Sequence, residues 1–115
     1  MSEVKHTIDT MNATIKENPA LVKGIEAVYQ FHVKDDHPDT FQFVLRGEDS
    51  YIAEGAKEKA DCILHIKADH FIKLAKGTLK GTTAFLSGKL KIEGEIGMAI
   101  KLESILSRIN HKLQT

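Results

Sequence analysis

The chain has 115 residues and a mass of 12.8 kDa, enough for one domain, residues 1–115, whose folding buries roughly two-thirds of the unfolded surface. Its 16 basic and 16 acidic side chains cancel, which disfavours nucleic-acid binding, because that affinity comes mainly from neutralised phosphates. The 42% hydrophobic fraction disfavours disorder, and the single cysteine excludes an intrachain disulfide and a zinc site of several cysteines.

A helical apolar stripe opens the chain and predicts a helix over residues 2–17. The stripe consists of Val4, Ile8, Met11 and Ile15. Pro19 ends this helix, because the residue before a proline is displaced from the α region.

A two-residue period replaces the helical one after Gly24 and predicts an antiparallel hairpin. Its strands cover residues 25–34 and 41–45, and the turn-forming residues 35–39 join them. A third, short strand follows at 51–55.

A charged connection, residues 56–61, leads to a fourth strand at 62–67, which is apolar on both faces and is therefore expected inside the sheet. Asp69 is predicted to cap a short helix. A second short helix at 82–87, a fifth strand at 89–93 and a last helix at 97–111 complete the chain. This order of strands and helices predicts a two-layer α+β domain.

No group of residues points to catalysis. Cys62 lies within an apolar strand, where burial quiets a thiol. The Ser-Gly-Lys run at 87–89 lacks the earlier glycine and the following Ser or Thr of a phosphate loop. The six histidines show no metal-ligand spacing. We therefore expect a protein that is not an enzyme and has no metal and no cofactor.

Lysines are concentrated in residues 62–92, which hold six lysines and one aspartate. One interpretation is a solvated surface. The other is a weak contact with anionic membranes through Lys73, Lys76, Lys80, Lys89 and Lys91.

The second half also carries more apolar residues than its short helices need. They form either a packed core or the lining of a cavity for an apolar ligand. Gly77, Gly81 and Gly88 interrupt these helices, which favours helices that surround a space, and the flexible Met98 adapts to varied partners.

Several segments of the chain resemble the sterol carrier protein-2 (sterol-binding) domain family. The similar segments are 17–19, 27–31, 60–66, 74–77, 84–94 and 98–102, with the run Gly88-Lys89-Leu90-Lys91-Ile92 as the strongest marker. The resemblance implies a five-stranded, mostly antiparallel sheet with one face covered by helices that enclose an apolar tunnel. It also implies lipid binding and transfer without catalysis, with a fatty acid, fatty acyl-CoA, phospholipid or sterol-like ligand.

Apolar spacing and the implied tunnel together predict the lining of the ligand site. The predicted lining residues are Phe71, Leu74, Phe85, Leu86, Met98, Leu102, Ile105, Leu106 and Ile109. The alternative function is an interaction or dimerisation module that presents acyl substrates to an acyl-CoA enzyme.

The sequence shows no secretory signal and no apolar run long enough for a membrane span, so we expect a cytoplasmic protein. Two residues, Gln114 and Thr115, follow His111-Lys112-Leu113, so we expect no terminal peroxisomal tripeptide.

Overall fold

The computed structural model describes residues 3–35 and 38–113. In chain order its elements are α1 (Glu3–Glu17), β1 (Glu26–Lys34), β2 (Asp39–Arg46), β3 (Tyr51–Glu54), β4 (Cys62–Lys67), α2 (Ala68–Ala75), α3 (Gly81–Leu86), β5 (Leu90–Gly94) and α4 (Ile96–Leu113). Ser2 of the predicted first helix, Asp36 and His37 of the predicted turn, and residues 114–115 lie outside the described residues.

The strands form one sheet in the order β3-β2-β1-β4-β5. The β1–β2, β2–β3 and β4–β5 pairs are antiparallel, and β1 pairs with β4 in parallel. The predicted hairpin and the interior position of β4 are therefore confirmed, and so is the mostly antiparallel five-stranded sheet.

One face of the sheet packs against the helices, because alternate residues of each strand are apolar and point the same way. Phe31 of β1 and Phe41 of β2 stack with their ring centroids 5.3 Å apart. Phe71 of α2 meets Phe31 edge-on, with 5.5 Å between the centroids. The stripe of α1 and the inner side of α4 are buried in the same core.

The connection between β3 and β4 crosses the other face of the sheet. The Gln42 side chain donates to the Glu58 carbonyl at 2.8 Å and accepts from the Glu58 N–H at 3.1 Å. Farther along, Asp61 accepts the Val28 N–H at 2.8 Å through its carboxylate. Val28 and Val44 are buried although they are not part of the helix-covered core, and the crossing connection accounts for their burial.

The predicted N-cap at Asp69 is wrong. The structure starts α2 at Ala68, two residues earlier than a cap at Asp69 requires, so that Lys67 occupies the cap position without a side-chain hydrogen bond. Asp69 lies in the first turn, where a carboxylate still favours the helix through the positive end of the helix dipole. The sequence also failed to indicate two short 3-10 turns, Pro19–Val22 and Gly47–Asp49.

Candidate functional site

An apolar cavity of about 240 Å³ lies between α3, α4 and the β4–β5 side of the sheet. Its lining residues come from five elements, β4, α2, α3, β5 and α4: Leu64, Leu74, Gly81, Thr82, Phe85, Leu86, Leu90, Ile92, Ile96, Ala99, Ile100, Leu102, Glu103 and Leu106. Twelve of these fourteen residues are apolar or glycine.

The two polar lining residues satisfy each other. Thr82 donates its backbone N–H to the Glu103 carboxylate at 3.0 Å and its hydroxyl to the same oxygen at 2.6 Å. These two bonds use the N–H and the hydroxyl of Thr82 and one of the two carboxylate oxygens of Glu103. The interior of the cavity is therefore suited to a hydrocarbon group rather than to a polar one.

Large apolar side chains surround the mouth of the cavity and face solvent. Leu86 is 78% exposed, Ile100 is 60% exposed and Ile96 is 52% exposed. Exposed apolar residues that cluster at a concave site are typical of a binding surface.

A second and larger cavity, of about 650 Å³, lies against a different face of α4; its lining is mixed, and it is called the polar cavity because of its charged side chains. Lys23, Arg46, Lys101 and Arg108 contribute four cationic groups to this lining. The two cavities share no lining residue. Among the residues that the structure describes, the implied continuous tunnel is thus not seen.

Tyr29 joins the sheet to the start of α4 beside this polar cavity. Its hydroxyl donates to the Met98 carbonyl at 2.7 Å. Burial, with smaller effects from the nearby Cys62 and Asp61, raises the pKa of the Tyr29 phenol to about 12. The phenol is therefore a neutral donor that fixes the first turn of α4.

The structure places the nine predicted site residues in three locations. Five of them line the apolar cavity: Leu74, Phe85, Leu86, Leu102 and Leu106. Met98 and Ile105 line the polar cavity instead. Phe71 and Ile109 are fully buried in the core between the helices and the sheet.

Sequence reasoning missed one side of α4. Ile96 and Ile100 are four residues apart, as are Ala99 and Glu103, so they form a second stripe beside the predicted one. This four-residue spacing is a signal from which the second stripe could have been predicted. The dominant stripe of Leu102, Ile105 and Ile109 obscured it because those residues alone account for a helix with one buried face.

Four of the five lysines predicted to contact membranes have identified neighbours in the structure. The Lys76 ammonium lies 3.4 Å from a Glu3 carboxylate oxygen. Lys80 lines a small cavity beside Glu103, whereas Lys89 and Lys91 line a third, basic cavity at the sheet.

Cys62 and the potential metal ligands are the remaining reactive groups. Cys62 is buried, and burial, with a smaller effect from Asp61, raises the pKa of its thiol. Within residues 3–35 and 38–113, no three His, Cys, Asp or Glu side chains come together as a metal site. In the same residues, no helix is long and apolar enough to cross a membrane.

Comparison with known proteins identifies relatives over most of the chain. The model of the SCP-2 sterol transfer family matches residues 8–107. Hydroxysteroid dehydrogenase-like protein 2 of Bos taurus is 39% identical over 94 residues, which are 81% of this chain and 22% of that protein. The Xenopus laevis protein of the same name is 34% identical over 97% of this chain and 27% of its own length. The chain therefore spans only about a quarter of these curated relatives.

Solved structures share the fold. Sterol carrier protein 2 from Yarrowia lipolytica, in its apo form, superposes with a TM-score of 0.72 at 25% identity, covering 93% of this chain and 88% of that chain. Sterol carrier protein-2 from Aedes aegypti, solved in complex with palmitate, gives a TM-score of 0.71 at 18% identity, covering 94% and 98%. The second comparison shows the fold alone.

Proposed function

This chain belongs to the SCP-2 sterol transfer family, and we propose that it binds one apolar lipid in the α3–α4 cavity and carries it between membranes without catalysis. The observation that carries the proposal is the apolar lining, in which twelve of fourteen residues are apolar or glycine and Thr82 gives its N–H and its hydroxyl to Glu103. The exposed Leu86 and Ile100 at the mouth continue that apolar surface outwards.

The energetics favour a hydrocarbon chain. Each buried methylene contributes about 0.8 kcal/mol, so a long acyl chain gains enough to offset the loss of its freedom on binding. No specific polar contact is needed for useful affinity. A lipid headgroup then adds selectivity rather than most of the binding energy.

Size favours a single chain over a bulky ring system. The volume of about 240 Å³ lies below the roughly 300–1,000 Å³ of ordinary ligand pockets. The acyl chain of a fatty acid or fatty acyl-CoA is the narrowest of the candidate ligand groups and requires the least displacement of α4, whereas phospholipid and sterol-like ligands require more. The palmitate bound to the Aedes aegypti protein supports the same ligand class.

The proposed lining begins with the five predicted residues already at the cavity: Leu74, Phe85, Leu86, Leu102 and Leu106. Met98 and Ile105 join it when a long chain displaces α4 from the sheet and connects the two cavities. Phe71 and Ile109 then form the inner wall. The weak contact of the exposed lysines with anionic membranes remains part of this proposal.

Titration of delipidated protein with a fluorescent fatty acid tests the function, with displacement by palmitate, palmitoyl-CoA and a sterol. Ala99→Phe fills the cavity from α4 and is expected to abolish saturable binding. Ala13→Phe adds the same ring at an exposed position of α1 and is the matched control. Equal affinity in both folded variants would contradict the proposed site.

A second function is favoured by the architecture of the relatives. In the Bos taurus and Xenopus laevis proteins the matched region is a small part of a chain that is named dehydrogenase-like. A domain of this kind presents acyl substrates to an enzyme, on the same chain, in a partner or across a homodimer. Pull-down with an acyl-CoA enzyme as the captured partner supports presentation, whereas a monomer that transfers lipid between vesicles unaided supports transport.

A further inference from the structure

A basic pocket of about 350 Å³ lies at the end of the sheet opposite the crossing connection. It is lined by Lys34, His65, Ile66, Lys67, His70, Ser87, Gly88, Lys89 and Lys91. Six of these nine residues are lysine or histidine, and none is acidic.

The strand register creates this concentration of charge. Lys34 of β1 lies directly opposite Lys67 of β4. Because Ile66 pairs with Leu90 in the antiparallel β4–β5 ladder, Lys89 lies next to Lys67. Lys34 and Lys67 therefore lie side by side at the ends of β1 and β4, and Lys89, the residue before β5, continues this row of three lysines.

A second row runs parallel to the first, one step along the strands. His65 is paired with His32 on one side and with Lys91 on the other. The two imidazole rings stack with their centroids 5.1 Å apart. Like charges placed directly opposite each other destabilise a sheet, so two adjacent basic rows are unfavourable for folding alone.

Glu3, Asp35 and Asp69 line a neighbouring cavity together with Lys34 and Lys67, but the two carboxylates that contact the basic pocket do so at its histidines. Glu93 bonds to His65 at 2.5 Å, and the Asp69 carboxylate lies 3.8 Å from His70. Among the described residues, Lys34, Lys67, Lys89 and Lys91 have no ion-pair partner.

His70 supplies a further unmatched group. Its Nδ1 atom is buried and has no hydrogen-bond partner in the described part of the chain. Buried polar atoms in native proteins are almost always paired, so an orphan atom in the wall of a basic pocket points to a missing partner.

We propose that this pocket binds a phosphate group, carried either by a soluble phosphoester or by a lipid headgroup. A phosphate offers several strong acceptor oxygens and more than one negative charge to the converging ammonium groups. The volume of the pocket matches a small phosphoester rather than a bare ion. The proposal stands independently of lipid binding in the α3–α4 cavity.

Two probes separate the sources of the phosphate. Inorganic pyrophosphate is titrated into the full chain by calorimetry, at low salt and at physiological salt. Phosphatidylcholine vesicles, with and without phosphatidic acid, are tested by co-sedimentation. The side-chain resonances of His65 and His70 report the occupied pocket directly in the unmodified protein.

The Lys67→Gln/Lys89→Gln variant removes two of the three lysines of the row and is expected to weaken phosphate binding about tenfold or more. Lys57→Gln/Lys59→Gln removes the same charge from exposed positions in the crossing connection and is the matched control, expected within about twofold of the parent. Both variants should retain fatty-acid affinity, which keeps this test separate from that of the proposed function.

Saturable pyrophosphate binding that only the first variant weakens supports a soluble phosphoester. Binding confined to vesicles with phosphatidic acid, with the same sensitivity to the first variant, supports a lipid headgroup. Equal losses in the two variants, unmoved His65 and His70 resonances on saturation, or no binding of either probe overturn the proposal.

Discussion

Thr82 gives both its backbone N–H and its hydroxyl to one carboxylate oxygen of Glu103, and this pair ties the start of α3 to α4 at the rim of the apolar cavity. Of the side chains of α3, only Ala84 is buried, so the short helix has little packing of its own to hold it. The pair therefore controls how readily the cavity opens.

Loss of the Thr82–Glu103 pair is expected to loosen the cavity. Thr82→Val and Glu103→Gln should each lower stability by about 1 kcal/mol and speed release of a bound fluorescent fatty acid. A double-mutant cycle on urea unfolding should give a coupling energy of about 1 kcal/mol. Glu95→Gln, a nearby exposed acid, is the control; additive effects of the two site changes would show that the pair is not coupled.

Tyr29 should make stability depend on alkaline pH. The pKa of the phenol is about 12 in the folded protein, above its ordinary value of 10, so folding favours the protonated form. Below pH 10 the raised pKa contributes roughly 2 to 3 kcal/mol to the free energy of unfolding. This contribution is lost as the pH rises from 10 to 12.

Tyr29→Phe isolates this effect from the titration of the lysines. The variant should be less stable than the parent near neutral pH, because it lacks the hydrogen bond to Met98. The difference should shrink between pH 10 and 12 in urea unfolding. Tyr51→Phe is the control, and a constant difference across that range would contradict the assigned pKa.

Gly77 closes α2 in a left-handed conformation, with φ of +80°, beside Asn110 of α4. An alanine Cβ there would overlap the Asn110 side-chain amide. Gly88 has nearly the same φ, +78°, and open space around it. Gly88→Ala should therefore lower the free energy of unfolding by about 1 kcal/mol through backbone conformation alone. Gly77→Ala should lower it by about 1 kcal/mol more than Gly88→Ala, because of the overlap with Asn110. Equal losses of unfolding free energy would indicate that Asn110 yields freely.

Cys62 should be inert in the folded protein. Burial raises the pKa of the thiol and shields it from reagents. Reaction with Ellman's reagent should follow the rate of unfolding and become rapid in urea. Prompt stoichiometric reaction of the native protein would restore Cys62 as a candidate nucleophile.

The elements of this fold were predictable because each repeats a clear period. Alternation in Phe41 and Phe43 predicts a strand facing the core, and the apolar character of both faces of β4 indicates its interior position. The parallel pairing of β1 with β4 was not predictable. It depends on the route of residues 55–61 across the sheet, and the hydrogen bonds of Gln42 and Asp61 that fix this route link distant positions.

The lining of the apolar cavity could be predicted only in part from the sequence. Apolar spacing identifies Leu102 and Leu106 as inward-facing, but a buried side chain in the core and one at a cavity have the same pattern. The basic pocket could not be predicted from the sequence either. Lys34 and Lys89 are far apart in the sequence, and only the register of three strands brings them together.

The crossing connection also affects the stage of synthesis at which the cavity can form. The β1–β2 hairpin closes locally, but β4 can join it only after the chain has passed over the sheet, and loop closure over such distances is slow. The roof of the cavity, α4, leaves the ribosome later still. A nascent chain therefore has no complete cavity until α4 has emerged, so a lipid can be loaded only after that point.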